Sequence, residues 1–154
     1  MISEGDAAPD VVVEDSDGNS VKLLATVSGP FVLYFYPKDD TPGCTREALD
    51  FTDLADDFAT IGVAVVGISK DPAKKHASFI KKHNLGVRLV TDADGSVCEA
   101  YGVWVEKSLY GRKYMGIERA TFLVDADRKI AGIWRKVKVA GHAQQVLDAA
   151  RTLK

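Results

Sequence analysis

The chain has 154 residues, of which 46% are hydrophobic and 27% charged, with a formal net charge of -2. Those values fit one globular domain over residues 1–154 with its own apolar core. They supply no electrostatic basis for binding nucleic acid or an anionic membrane, and no apolar run approaches the roughly 18 residues that would span a bilayer. Met1-Ile2-Ser3-Glu4-Gly5-Asp6 is acidic and lacks a basic region leading into an apolar one, so no signal peptide is expected. Two cysteines, Cys44 and Cys98, do not make a disulfide scaffold, and the expected location is the cytoplasm.

Val11-Val12-Val13 and Val21 to Leu24 flank Asp17-Gly18-Asn19, a hairpin signal. Phe31 to Tyr36 follows Gly29-Pro30 and is apolar throughout, as a strand covered on both faces would be. A helical pattern follows, with Ala48, Phe51, Ala55 and Phe58 on one face and Asp50, Asp53, Asp56 and Asp57 mostly on another. Gly62 ends it, and Val63 to Ile68 is a second buried strand. Asp71-Pro72 predicts the start of another helix, with Asp71 as its cap and Ala73, Ala77 and Ile80 facing inward.

Arg88 to Thr91 reads as a short strand, Asp92-Ala93-Asp94-Gly95 as a turn, and Ser96 to Tyr101 as a short helix. Ala120 to Val124 and Ile130 to Trp134 form a hairpin around Asp125-Ala126-Asp127-Arg128. The last helix spans roughly Gly141 to Leu153, with Ala143, Val146, Leu147 and Ala150 inward. The order predicts an α/β fold: a central mixed β-sheet with helices on both faces and an N-terminal β-hairpin. A cysteine at the start of the helix after the first core strand makes this a thioredoxin-like layout.

Cys44 is the informative residue. It follows the first core strand in Pro37-Lys38-Asp39-Asp40-Thr41-Pro42-Gly43-Cys44, where Thr41 suits the N-cap and Pro42 the first helical position. Cys44 then lies in the first helical turn, among free backbone N–H groups and at the positive end of the helix dipole. Both favour a thiolate, the nucleophilic form of cysteine. The plainer alternative is a small apolar residue packed at a helix start. Asp39 and Asp40 oppose a thiolate if they face it. On sequence alone, Thr41 reads equally as a cap, Arg119 as a strand-end arginine and Glu47 as a solvated helix residue.

Pro37-x-x-x-Thr41-x-x-Cys44 resembles the active-site motif of the peroxiredoxins. The wider run Phe35 to Thr45 is similar to the bacterioferritin comigratory protein, or peroxiredoxin Q, branch. The similarity continues through Thr91-Asp92, Val97-Cys98-Glu99, Tyr101-Gly102-Val103-Trp104 and Arg119 to Asp125, in order along nearly the whole chain. The resemblance implies a thiol-dependent peroxidase acting on hydrogen peroxide and organic hydroperoxides. Cys44 would attack the O–O bond and become a sulfenic acid. Thr41 would hydrogen-bond the peroxide, Arg119 would position it, Pro37 would shield the sulfur and Glu47 would orient the arginine. No cofactor or metal is implied.

The chain departs from the branch at the positions where members carry a resolving cysteine. The residue five after Cys44 is Leu49, and the segment Ser78 to Lys82 on the next helix holds no cysteine. Cys98 remains, either a buried structural thiol or an unusual resolving residue. The expectation is therefore a one-cysteine mechanism with an external reductant, thioredoxin or glutathione with glutaredoxin; the resemblance implies a monomer or weak dimer. A peroxide-sensing switch that passes oxidation to a partner protein, and an atypical two-cysteine peroxidase using Cys98, are the alternatives. His76, His83 and His142 lack zinc-site spacing. His76 and His83 are expected on one exposed helix face, and Lys107 to Lys113 on solvated surface.

Overall fold

Phe31–Phe35 forms β3, an interior strand of the sheet, and every residue of it is buried. An unbroken apolar run can be satisfied only where both faces are covered. Even residues Val32, Tyr34 and Tyr36 enter one apolar cluster, and odd residues Phe31, Leu33 and Phe35 enter the other. The computed structural model describes residues 2–153.

β1 (Val12–Glu14) and β2 (Ser20–Lys22) form the expected hairpin, followed by a 3-10 turn over Leu23–Ala25. After β3 come α1 (Pro42–Asp53), α2 (Ala55–Thr60), β4 (Ala64–Ser69), α3 (Ala73–His83), β5 (Arg88–Thr91) and α4 (Ser96–Ala100). The chain continues through β6 (Trp104–Leu109), β7 (Arg112–Ile117), β8 (Ala120–Val124), β9 (Ile130–Trp134) and α5 (His142–Ala150). The seven-stranded sheet has the order β2-β1-β5-β4-β3-β8-β9, with β3, β4 and β5 parallel and the outer pairs antiparallel. This is the mixed sheet that the βαβ alternation predicts. Helices α1, α2, α3 and α5 bury their apolar residues on the face of Tyr34, and α4 packs on the face of Phe35.

Four local expectations are corrected. The helix after Cys44 is two helices, broken at Leu54 (φ -101°, ψ 5°). Thr52 back-bonds to the Ala48 carbonyl at 2.7 Å, a contact that bends helices, and its hydroxyl also accepts the Gly86 N–H. Asp71 does not cap α3, whose N-cap is Pro72. Its carboxylate instead accepts the Ser69 hydroxyl and the Asp39 N–H, each at 2.8 Å.

The inner face of α3 is His76 and Phe79, with Ile80 half-buried against the core as expected and Ala77 exposed. His76 is buried, not solvated, because its ring finds polar partners inside. The Lys107 to Lys113 segment is solvated surface as expected, exposed at every residue but the half-buried Lys107. It forms the β6–β7 ribbon, closed by Tyr110-Gly111 with both φ angles positive, 50° and 78°. That is the geometry of a two-residue hairpin turn.

Candidate active site

The register of the sheet builds the site. β8 runs antiparallel to β3 with Ala120 opposite Phe35. Arg119, the residue before β8, therefore arrives at the end of β3 where the chain turns into α1. Thr41 takes the extended N-cap conformation and Pro42 the first helical position, so Cys44 lies in the first turn as expected. Among the described residues no side chain caps this helix, which leaves first-turn N–H groups free to meet a ligand. Gly43 has its Cα toward Arg119; a Cβ there would lie 3.2 Å from the guanidinium.

Arg119 joins two of the predicted residues. One guanidinium nitrogen donates to Glu47 Oε1 at 2.8 Å and the other reaches Cys44 Sγ at 3.4 Å. Glu47 follows Cys44 by one helical turn, so both project from the same side of α1. Glu47 is 1% exposed and Cys44 2%. Burial pushes the Glu47 carboxyl up from 4.5 to about 7, against the pull of Arg119. Burial opposes the charge on Arg119, but Glu47 and Cys44 together raise its pKa above the usual value. Among the described residues, Glu47 Oε2 and the Tyr34 hydroxyl are buried without a hydrogen-bond partner.

Thr41 lies at the cap position, but its hydroxyl donates to the Lys38 carbonyl at 2.8 Å instead of capping the helix. Its lone pairs remain available to an incoming donor. Pro37 is exposed at the opening of the turn. The two aspartates point away in different directions: Asp39 is buried against Tyr36 and His76, and Asp40 bonds Lys82 and His83 of α3. Asp40 holds a left-handed conformation (φ 59°).

Cys98 is not brought to this site. It is fully buried in the apolar cluster on the opposite face of the sheet, with Val97 and Tyr101. Burial, and then Asp92, push its thiol well above the ordinary cysteine range. Its backbone N–H is tied to Asp92 at 2.9 Å.

Two residues near the site were not legible beforehand. Lys107 of β6 is half-buried, its stem lying over Gly116. Burial, and then the Arg119 charge, lower its pKa, while Cys44 raises it. Gly111 is the one local turn signal for the ribbon that carries it. His142, at the start of α5, accepts or donates to Thr121 at 2.8 Å, and burial followed by Arg119 lowers its pKa to about 4. Among the described residues no group of three metal-ligating side chains occurs, and no helix is long and apolar enough to cross a membrane.

Comparison with known proteins gives the family. Residues 4–133 match the AhpC/TSA family. The chain belongs to that family, as a peroxiredoxin of the Bcp, or Q, type. Peroxiredoxin Bcp of Bacillus subtilis is 45% identical over 153 residues, covering 99% of this chain and 96% of that one. Peroxiredoxin Bcp of Escherichia coli is 42% identical over 147 residues, covering 96% and 94%. A solved structure of the Xanthomonas campestris bacterioferritin comigratory protein superposes with a TM-score of 0.87 at 41% identity, covering 98% of this chain and 96% of that one. This peroxiredoxin is accordingly a thiol-dependent peroxidase.

Proposed function

We propose that Cys44 is the peroxide-reactive thiol and that it works by a one-cysteine mechanism. The observation that carries the reading is the Arg119 guanidinium held between the Glu47 carboxylate and the Cys44 sulfur. The sulfur, as thiolate, attacks one peroxide oxygen. An S–O bond forms, the O–O bond breaks, and the leaving hydroxide or alkoxide takes up a proton. Negative charge develops on that leaving oxygen. Donors placed in advance, the Arg119 guanidinium and the Cys44 N–H, stabilise it without reorganisation. Thr41, its own proton committed to Lys38, accepts the peroxide O–H. Glu47 orients the arginine. Pro37 fixes the backbone and covers the entrance.

Two equivalents of an external thiol return the sulfenic acid to the thiol, releasing water and a disulfide. Cys98, on the far face of the sheet, takes no part. The reductant is thioredoxin or glutathione with glutaredoxin. The Xanthomonas campestris relative has alkyl peroxide reduction activity; organic hydroperoxides as well as hydrogen peroxide are the proposed substrates here. The protein acts in the cytoplasm as a monomer or weak dimer.

A peroxide-consumption assay with thioredoxin, glutathione–glutaredoxin or dithiothreitol tests this. Wild type and Cys98→Ala should turn over repeatedly and Cys44→Ser should fall to background. Full activity in Cys44→Ser would remove the reading.

A further inference from the structure

We propose that His76 is a positioning residue for peroxide reduction, acting through Asp39 to hold the turn that carries Thr41 and the first N–H groups of α1 against the Cys44 sulfur. The inference rests on Cys44 being the peroxide-reactive sulfur.

The turn from Pro37 to Thr41 is grasped mainly by α3 and the loop before it. His76 Nδ1 lies 2.7 Å from Asp39 Oδ2, and the Tyr36 hydroxyl donates to Asp39 Oδ1 at 2.5 Å. His76 is 2% exposed and Asp39 3%. The other ring nitrogen of His76 is 3.1 Å from the Val90 carbonyl, which can only accept, so Nε2 carries a proton. A proton lying between Nδ1 and Asp39 Oδ2 joins the ring to the carboxylate across the 2.7 Å contact. The Asp39 N–H is fixed in turn by Asp71, whose carboxylate also takes the Ser69 hydroxyl.

A second, outer grip repeats the pattern. His83, two helical turns along α3, and Lys82 bond the next residue of the turn, Asp40, at 2.9 Å and 2.7 Å. Asp40 is held left-handed (φ 59°), a conformation that a non-glycine residue keeps only where its surroundings impose it. Nothing in the chemistry at sulfur needs two adjacent aspartates, yet each is bound by a different histidine of one helix.

The geometry at stake is fine. Thr41 lies two residues after Asp39, and displacement of a reacting group by about 1 Å can cost on the order of 10²-fold in rate. Reduction of the oxidised sulfur has the opposite requirement. A sulfur 2% exposed must be uncovered before a thiol can reach it, so a looser turn does not slow that step.

Paired substitutions separate positioning from support. Glutamine places its donor near Nε2, keeping Val90 and losing Asp39; asparagine places it near Nδ1, keeping Asp39 and losing Val90. Oxidation at Cys44 would be followed by rapid quench and site-resolved mass spectrometry after mixing with hydrogen peroxide. Reduction of the pre-oxidised protein by dithiothreitol would be followed separately. His76→Gln should slow oxidation about tenfold or more without slowing reduction, and His76→Asn should oxidise within about threefold of wild type. Tyr36→Phe removes the other side-chain bond to Asp39 together with the 3.3 Å contact between the Tyr36 hydroxyl and His76 Nδ1, should also slow oxidation, and decides the matter if His76→Gln does not fold. Wild-type oxidation rates in both His76→Gln and Tyr36→Phe would overturn the proposal. So would His76→Asn oxidising as slowly as His76→Gln. If wild-type Cys44 were not the residue oxidised, the underlying reading of the site would fail instead.

Discussion

Cys44 and Cys98 lie on opposite faces of the central sheet. Cys44 packs with Tyr34, Tyr36 and Phe51, and Cys98 with Phe35, Tyr101 and Phe122. A disulfide needs Cα atoms within about 7 Å, and the layer of β-strands separates the two. Cys98→Ala should therefore keep kcat/KM for hydrogen peroxide within about twofold of wild type, at a stability cost of about 1 kcal/mol for the lost buried sulfur. A turnover assay and a denaturation curve measure both. Loss of activity in that variant would place Cys98 in the cycle.

Arg119 holds Glu47 and Cys44 with two separate nitrogens of one planar group. Lysine keeps the charge but not the fork. Arg119→Lys should lose about 10²-fold in kcat/KM, as when a preorganised donor is removed from an anion-stabilising site. Its circular dichroism should be unchanged. Activity within about threefold of wild type would show that the charge alone suffices.

Glu47 ties stability to pH. Its folded pKa, raised by burial from 4.5 to about 7, means that the folded protein keeps a proton that the unfolded chain releases in that window. Its contribution is fully present below pH 4.5 and is lost as pH rises through about 7. The loss is on the order of 3 kcal/mol. Glu47→Gln cannot titrate, so its stability relative to wild type should increase between pH 5 and pH 8, read by urea unfolding. Parallel curves for the two proteins would contradict this. Peroxidase activity should fall in the same variant, because Arg119 loses its anionic partner.

Gly67 lies directly across from Tyr34 in the β3–β4 pairing. A Cβ on Gly67 would come within 2.6 Å of the Tyr34 ring and 2.8 Å of Leu89. Tyr34 is fully buried and stacked on Phe51 at 4.8 Å, so neither ring can step aside. Gly67→Ala should destabilise by about 1–3 kcal/mol through overpacking. Thermal unfolding reads this directly, and an unchanged Tm would refute the packing argument.

Much of this arrangement is written in local patterns. Phe31 to Tyr36 could only be a covered strand, and Ala143, Val146, Leu147 and Ala150 have the helical spacing that α5 buries. The cysteine at a Thr-Pro-Gly turn was legible because the signals are adjacent in the chain. What could not be read depends on partners distant in sequence. His76 falls in a helix rich in lysine and looks solvated, yet Asp39 and Val90 draw it inside. Asp71 occupies a good cap position, but the Asp39 N–H and Ser69 claim its carboxylate. The ribbon carrying Lys107 was masked by its charge and by a tyrosine in place of the usual asparagine or aspartate at the first turn position. That Arg119 meets Cys44 follows from the β3–β8 register, which pairs segments far apart in the chain.

The central claim is that one thiol carries the redox cycle. Treatment with one equivalent of hydrogen peroxide, trapping with a sulfenic-acid reagent and non-reducing peptide mass spectrometry tests it most directly. The account predicts the adduct on Cys44, with Cys98 recovered as a free thiol. A Cys44–Cys98 disulfide, or an adduct on Cys98 with Cys44 unmodified, would contradict it.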